Sequence, residues 1–327
     1  MSTASMRLVS LSQRAPIFDK CLFVTILVVA YCLIIGPMLM FVYPNPGGSI
    51  TASRVENQIF WPPVTAIALG CLALRNRSPL TWPPHIIWLA AYLALAGASI
   101  LWAFKPEISF NRFAQATILL ISIILPAMLA VRTVDMMRGV FFCFVFGSIL
   151  NAVLILGGYS TESISDNGVG GTFKIGYPGY FSFKGELGEF AAFAFLLSLY
   201  EILHPGWRRA LGLIIVVISC YLVLVSESKG ALGCAILAAI LATLLFFIGK
   251  KMRVSPPILL LALLICYKVL SHLVGDLVSR ISWHIYGNYT LSGRTLIWDF
   301  VNFEIAKRPL LGWGYRSFWL VGLSQHR

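Results

Sequence analysis

Lys184 in "FSFKGELG", Lys229 in "SESKGAL" and Arg294 in "LSGRTLIW" are cations at the edges of long apolar runs. A charge in such a place must meet a partner or reach the lipid headgroups. Arg294 has the richest surroundings. Ser292 is suited to cap a helix that Pro309 stops. The first turn of a helix has free amide donors and the positive end of the helix dipole. Gly293 would let a ligand come close, and the arginine adds a planar fork that matches phosphate oxygens. Together these residues form a candidate anion site. An arginine at this depth also serves as a plain headgroup anchor, so both readings stand. Lys229 follows an apolar run through a turn too short to carry it far, which keeps it near the membrane. Glu186 and Glu189 lie three residues apart, on one helix face, where pairing with Lys184 is expected. Lys268 reads as an interfacial snorkel.

The elements that must hold these cations are membrane helices. The chain has 327 residues, 58% of them hydrophobic and only 12% charged. Soluble domains carry roughly twice that share of charge. The expected fold is all-α and polytopic, a single membrane domain over 1–327 of about nine transmembrane helices. Runs of spanning length fall near 21–43, 59–74, 86–104, 113–131, 139–157, 188–203, 210–225, 230–248 and 256–274. In the second, "WPP" would fill the first helical turn. The apolar stretch 21–43 is longer than a signal-peptide core and is taken as the first span. The loops on the N-terminal side hold twelve Lys and Arg, the opposite short loops six, so the N-terminus is expected in the cytoplasm. External loops 158–187 and 275–327 would then carry the site. In the second, Leu296, Phe300 and Phe303 mark the apolar stripe of a surface-lying helix, with Asp299, Glu304, Lys307 and Arg308 polar.

Several functions are excluded at this level. The net charge of +12 is scattered between apolar runs, which argues against nucleic acid. No GxxxxGK[ST] loop is present to hold a nucleotide. The seven cysteines form no CxxC pair and the five histidines stand apart, so neither a metal nor another cofactor is expected.

Four segments, in order, carry a likeness. "SGRTLIW…AKRPLLGWGYRSFW" resembles the signature stretch of the O-antigen ligase/polymerase family, in particular its exopolysaccharide-polymerase branch. "SILWAFKPEISFNRF" resembles that family's external loop with a recurring Trp, Pro and Arg. "GYFSFKGELG" is similar to its F-x-H-K-N-x-L-G element, with Ser182 and Gly185 where the family has His and Asn. "VSESKGAL" is similar to its S-x-S-[KR]-[TG]-A-L element.

The resemblance implies a glycosyltransferase that polymerises or ligates undecaprenyl-pyrophosphate-linked oligosaccharides at the outer face of the bacterial inner membrane. Its partners are that lipid-linked donor, a glycan acceptor, membrane lipid and polysaccharide-assembly proteins. Arg294 and Lys229 would stabilise charge on the departing pyrophosphate, with Lys184, Arg112 and Gly293 at the substrate. Trp298 and Trp319 would contact sugar, although Trp313, Tyr315, Phe318 and Trp319 read equally as an interfacial aromatic belt. A sugar hydroxyl must also lose a proton to a base. Family members supply a histidine well downstream of the signature, whereas this sequence ends at Arg327 with His326 as the candidate in that region. The expectation is therefore a truncated chain that lacks the family's histidine base and has little transferase activity. Two competing readings remain, a transporter of lipid-linked sugar and an inactive fragment of the polymerase. Mid-span charges would mark the transporter, whereas the conspicuous cations here lie at span ends.

Overall fold

The computed structural model describes residues 20–43, 55–74, 84, 86–124, 133–161, 164–166, 172–174, 176–252, 256–274, 283–284 and 294–320. The described chain is helical apart from one small hairpin. Its helices are α1 Lys20–Val42, α2 Val55–Ala73, α3 Ile86–Ala98, α4 Pro106–Leu119 and α5 Thr133–Leu156. They continue with α6 Lys184–Ile202, α7 Trp207–Val225, α8 Lys229–Met252, α9 Pro256–Val274 and α10 Arg294–Lys307. Between α5 and α6, β1 Ile164–Asp166 pairs antiparallel with β2 Thr172–Lys174, Ile164 opposite Lys174.

Each expected apolar run falls on a described helix, the fourth as far as Ile124. Among the described residues, four segments are long and apolar enough to cross a membrane: Lys20–Val42, Val134–Leu156, Trp207–Val225 and Lys229–Gly249. Ile59–Ala73, Ile86–Trp102 and Pro257–Cys266 are shorter apolar helices. Helix α6 differs for a chemical reason, since Lys184, Glu186, Glu189 and Glu201 all lie within it. Large apolar side chains stand uncovered along the helices, among them Leu224, Phe247 and Leu261. Uncovered apolar rows of this kind mark a surface that meets something other than water. The chain has the make-up of an α-helical membrane protein.

Two helices depart from the expected local form, both because of proline. Pro37 has no N–H and its ring crowds the carbonyl four residues back. Helix α1 responds with a π-turn over Tyr31–Ile35, where the Gly36 N–H donates to Tyr31 O. In α2 the helix starts at Val55, so Pro62 and Pro63 are interior instead of occupying the first turn as expected. Acidic Glu56 and polar Asn57 extend the helix ahead of the apolar run, which hydropathy alone does not register.

The chain divides into two compact units, Met1–Gly147 with Leu311–Arg327, and Ser148–Leu310. The core of the first joins Val24 and Val28 of α1 to Val64 and Ala68 of α2. The core of the second joins Ile155, Leu187, Ala191, Leu222 and Val223, which draws α5, α6 and α7 together.

Candidate functional site

In the second unit, the segment Gly176–Phe183 folds across the ends of three helices. Asn151 is fully buried within the apolar α5, and its Oδ1 accepts the Tyr180 N–H at 3.0 Å. Ser160 Oγ donates to Gly179 O at 3.0 Å. The Tyr177 N–H donates to Val225 O at 3.1 Å, at the end of α7. Gly176 (φ +90°) runs so close to this turn that a Cβ would lie 2.6 Å from Ser226 O. Tyr180 is buried, and burial pushes its phenol well above the usual tyrosine range, with Asn151 pulling the other way.

This segment delivers the chain into α6, whose first residue is Lys184. One turn on, Gly188 meets the start of α8; a Cβ there would lie 2.6 Å from Ser228 Cβ and 3.0 Å from Ala231 Cβ. The first residue of α8 is Lys229. Two helix N-termini, each led by a lysine, are therefore packed side by side. A cation there opposes the positive dipole end of its own helix. The combination weakens each helix slightly and makes the spot attractive to an anion. Lys184 is half-buried and Lys229 is exposed.

The turn before Lys229 is tightly specified. The Ser226 hydroxyl donates to Val223 O at 2.8 Å and accepts the Ser228 N–H at 3.3 Å. Glu227 is held at φ +48°, a left-handed conformation unusual for a residue with a side chain. Its exposed carboxylate is a feature the sequence reading passed over, and only the backbone angle singles it out. The expected pairing of Lys184 with Glu186 is not formed. Glu186 Oε2 instead accepts the Ser182 N–H at 3.1 Å, a helix-start contact that satisfies an otherwise unpaired donor.

Arg294 also leads its helix, α10, but its side chain, like Ser292, Gly293 and His326, lies outside the described residues. Trp298 is half-exposed on α10. The expected amphipathic pattern of α10 needs one correction. Glu304, read as part of the polar face, is fully buried and accepts Lys307 Nζ at 2.5 Å, while Lys307 sits 4.2 Å from the Phe303 ring. Ile297, Phe303 and Ile305 of the apolar stripe are the exposed ones. The ion pair and the cation–ring contact accompany the buried carboxylate, and the stripe is left uncovered.

In the first unit, the signature segment 311–319 docks on the loop 99–113. Trp102 Nε1 donates to Leu311 O at 2.7 Å, and the Phe104 N–H donates to Trp313 O at 3.0 Å. Tyr315 N–H donates to Ser99 Oγ at 3.0 Å, and Ser109 Oγ donates to Tyr315 O at 2.7 Å. Edge-on ring contacts join Tyr315 to Tyr92 and Phe113, and Trp313 to Phe104. Gly314 (φ +87°) makes the approach feasible, since a Cβ there would fall 2.3 Å from Ala103 Cβ. Trp313 and Tyr315 are half-buried in this joint, whereas Trp319 is well exposed. Pro106 starts α4, and Arg112 is half-buried further along it.

Among the described residues, no group of three or more His, Cys, Asp or Glu is arranged to hold a metal ion. No family model, no curated protein and no solved structure matches this chain.

Proposed function

We propose that this chain is a membrane glycosyltransferase that polymerises or ligates undecaprenyl-pyrophosphate-linked oligosaccharides. It would act at the outer face of the bacterial inner membrane, with its N-terminus in the cytoplasm and nine spans. The observation that carries the reading is the pair of lysine-led helix starts, α6 beginning at Lys184 and α8 at Lys229, brought together where Gly188 meets Ser228 and Ala231. Positive side chains at two neighbouring helix N-termini suit a pyrophosphate better than any neutral headgroup. Transfer would break the anomeric carbon–oxygen bond, leave the lipid pyrophosphate as the departing group and join the sugar to an acceptor hydroxyl. The cations favour the charge that develops on the leaving oxygen. Further support comes from contacts between family-like segments. Gly188 of 179–188 meets Ser228 and Ala231 of 225–232, and 99–113 meets the end of the signature at Leu311, Trp313 and Tyr315.

The test uses membranes carrying the full chain, incubated with an undecaprenyl-pyrophosphate-linked oligosaccharide and followed by mass spectrometry. Growth of the glycan with matched release of undecaprenyl pyrophosphate, lost in a Lys184→Ala/Lys229→Ala double variant, is the expected result. Release without dependence on either lysine would refute the assigned site, and no release at all would refute transfer.

A further inference from the structure

The π-turn of α1 opens a cavity of about 320 Å³ against the first turns of α2, within the first unit and separate from both corners described above. That volume suits a small headgroup and lies at the lower end of ligand pockets. Its construction is specific. Pro37 follows the π-turn it favours, and Gly36 lines the cavity without a side chain; a Cβ there would lie 3.1 Å from Tyr31 O in that turn. Tyr31 is buried, stacks on Phe60 with centroids 3.5 Å apart, and meets Trp61 edge-on at 5.9 Å. Its hydroxyl donates to Asn57 Oδ1 at 3.0 Å. Two aromatic side chains, Tyr31 and Trp61, and the Asn57 carboxamide thereby line the cavity, with Phe60 backing Tyr31.

The charge of the lining decides the ligand. Glu56 lines the cavity, and among the described residues no Lys, Arg or His does. A carboxylate beside tyrosine and tryptophan suits an ammonium group, which both the charge and the aromatic rings attract. Leu39 and Met40 continue the wall in an apolar direction, and Met40 is exposed on a helix long enough to cross a membrane. An acyl chain can follow that edge. We propose that the cavity between α1 and α2 binds a lipid with a primary ammonium headgroup, held by Glu56 and the Tyr31–Trp61 walls. A glutamate in the first turn of a helix is also favoured by the dipole alone, so the test must separate headgroup selection from helix support.

The purified full chain is equilibrated with mixed micelles holding equal amounts of dioleoyl phosphatidylethanolamine and dioleoyl phosphatidylglycerol. Retained lipid is read by native mass spectrometry. The expected result is about tenfold preference for phosphatidylethanolamine, the scale of one charge-assisted contact. Glu56→Gln, nearly isosteric, should abolish the preference with the unfolding temperature unchanged. Glu107→Gln, the matching first-turn acid of α4, should leave it intact. Trp61→Leu gives a second reading, a partial loss of preference, should Glu56→Gln fold poorly. Equal retention of both lipids, or a preference that survives Glu56→Gln, would overturn the proposal. Free ethanolamine at equal concentration should compete poorly; full displacement by it would mean a soluble amine site and overturn the lipid assignment.

Discussion

Replacing Lys184 with alanine should weaken binding of a prenyl pyrophosphate more than replacing Lys229, and the difference follows from burial. Two unit charges about 4 Å apart interact by about 1 kcal/mol in bulk water and about 4 kcal/mol at the effective dielectric of a protein surface. Lys229 is exposed and lies near the first limit, whereas Lys184 is half-buried and lies nearer the second. The losses are then about 1–2 kcal/mol for Lys229→Ala and about 2–4 kcal/mol for Lys184→Ala. These correspond to roughly fivefold to thirtyfold and roughly thirtyfold to several-hundredfold in Kd. The amide donors at the two helix starts remain in both variants, so neither should abolish binding. Raising ionic strength should weaken the Lys229 contribution first, because exposed charges are screened over about 10 Å at 0.1 M salt. Farnesyl pyrophosphate serves as the probe in an equilibrium assay with the detergent-purified chain, and farnesol as the uncharged control. Affinities within twofold of wild type in both variants would refute the anion site. A larger loss at Lys229 than at Lys184 would refute the reasoning from burial.

Other outcomes follow from the packing. Gly314→Ala should destabilise the first unit by about 2–4 kcal/mol, from strain at φ +87° and collision with Ala103, read as a fall in unfolding temperature. Asn151→Ala leaves the Tyr180 N–H without its acceptor and should cost about 1–3 kcal/mol, visible as faster amide exchange along Gly176–Phe183. Glu227→Gly relieves a left-handed backbone and should raise stability by about 1 kcal/mol; loss of transfer alongside that gain would show that the carboxylate is used. The raised Tyr180 phenol predicts a pH effect of definite sign. Its contribution is complete below the ordinary tyrosine value of 10.0 and is lost as pH rises above it, at up to about 1.4 kcal/mol per pH unit, and Tyr180→Phe should lessen that loss. Ser317 is buried and unsuited to labelling, so orientation is best read at Leu310→Cys in a cysteine-free chain. Leu310→Cys should react with an impermeant reagent in intact spheroplasts; reaction only after lysis would reverse the orientation.

Hydropathy made the helices legible because apolar length is a property of a window of residues. It placed α1, α7, α8 and α9 within a few residues of their ends. It failed where single residues act. Pro37 introduces a π-turn, and Pro62–Pro63 lie within a helix because that helix already starts at Val55, ahead of the apolar run. The candidate cations were legible as charges at span ends. That Lys184 and Lys229 begin adjacent helices was not, since the contact rests on the missing side chain of Gly188, and an absence has no pattern in sequence. Asn151 did offer a signal, a carboxamide inside an apolar run, and its role becomes clear only when Gly176–Phe183 is seen to need a fixed acceptor.

The family-like residues fall into two physical kinds. Trp102, Ser99, Gly314 and Tyr315 hold the joint together, with the Trp102 indole N–H on the Leu311 carbonyl, the Ser99 hydroxyl accepting the Tyr315 amide, and a glycine that allows the approach. Lys184 and Lys229 stand at the positive dipole ends of their own helices, where an anion is favoured. Substitutions of the first kind should therefore lower stability and transfer together. Those of the second kind should lower affinity for the pyrophosphate while leaving the fold equally stable or slightly more so. A motif residue that destabilises the protein when changed is thereby assigned to the joint, and one that weakens binding without destabilising it is assigned to the site.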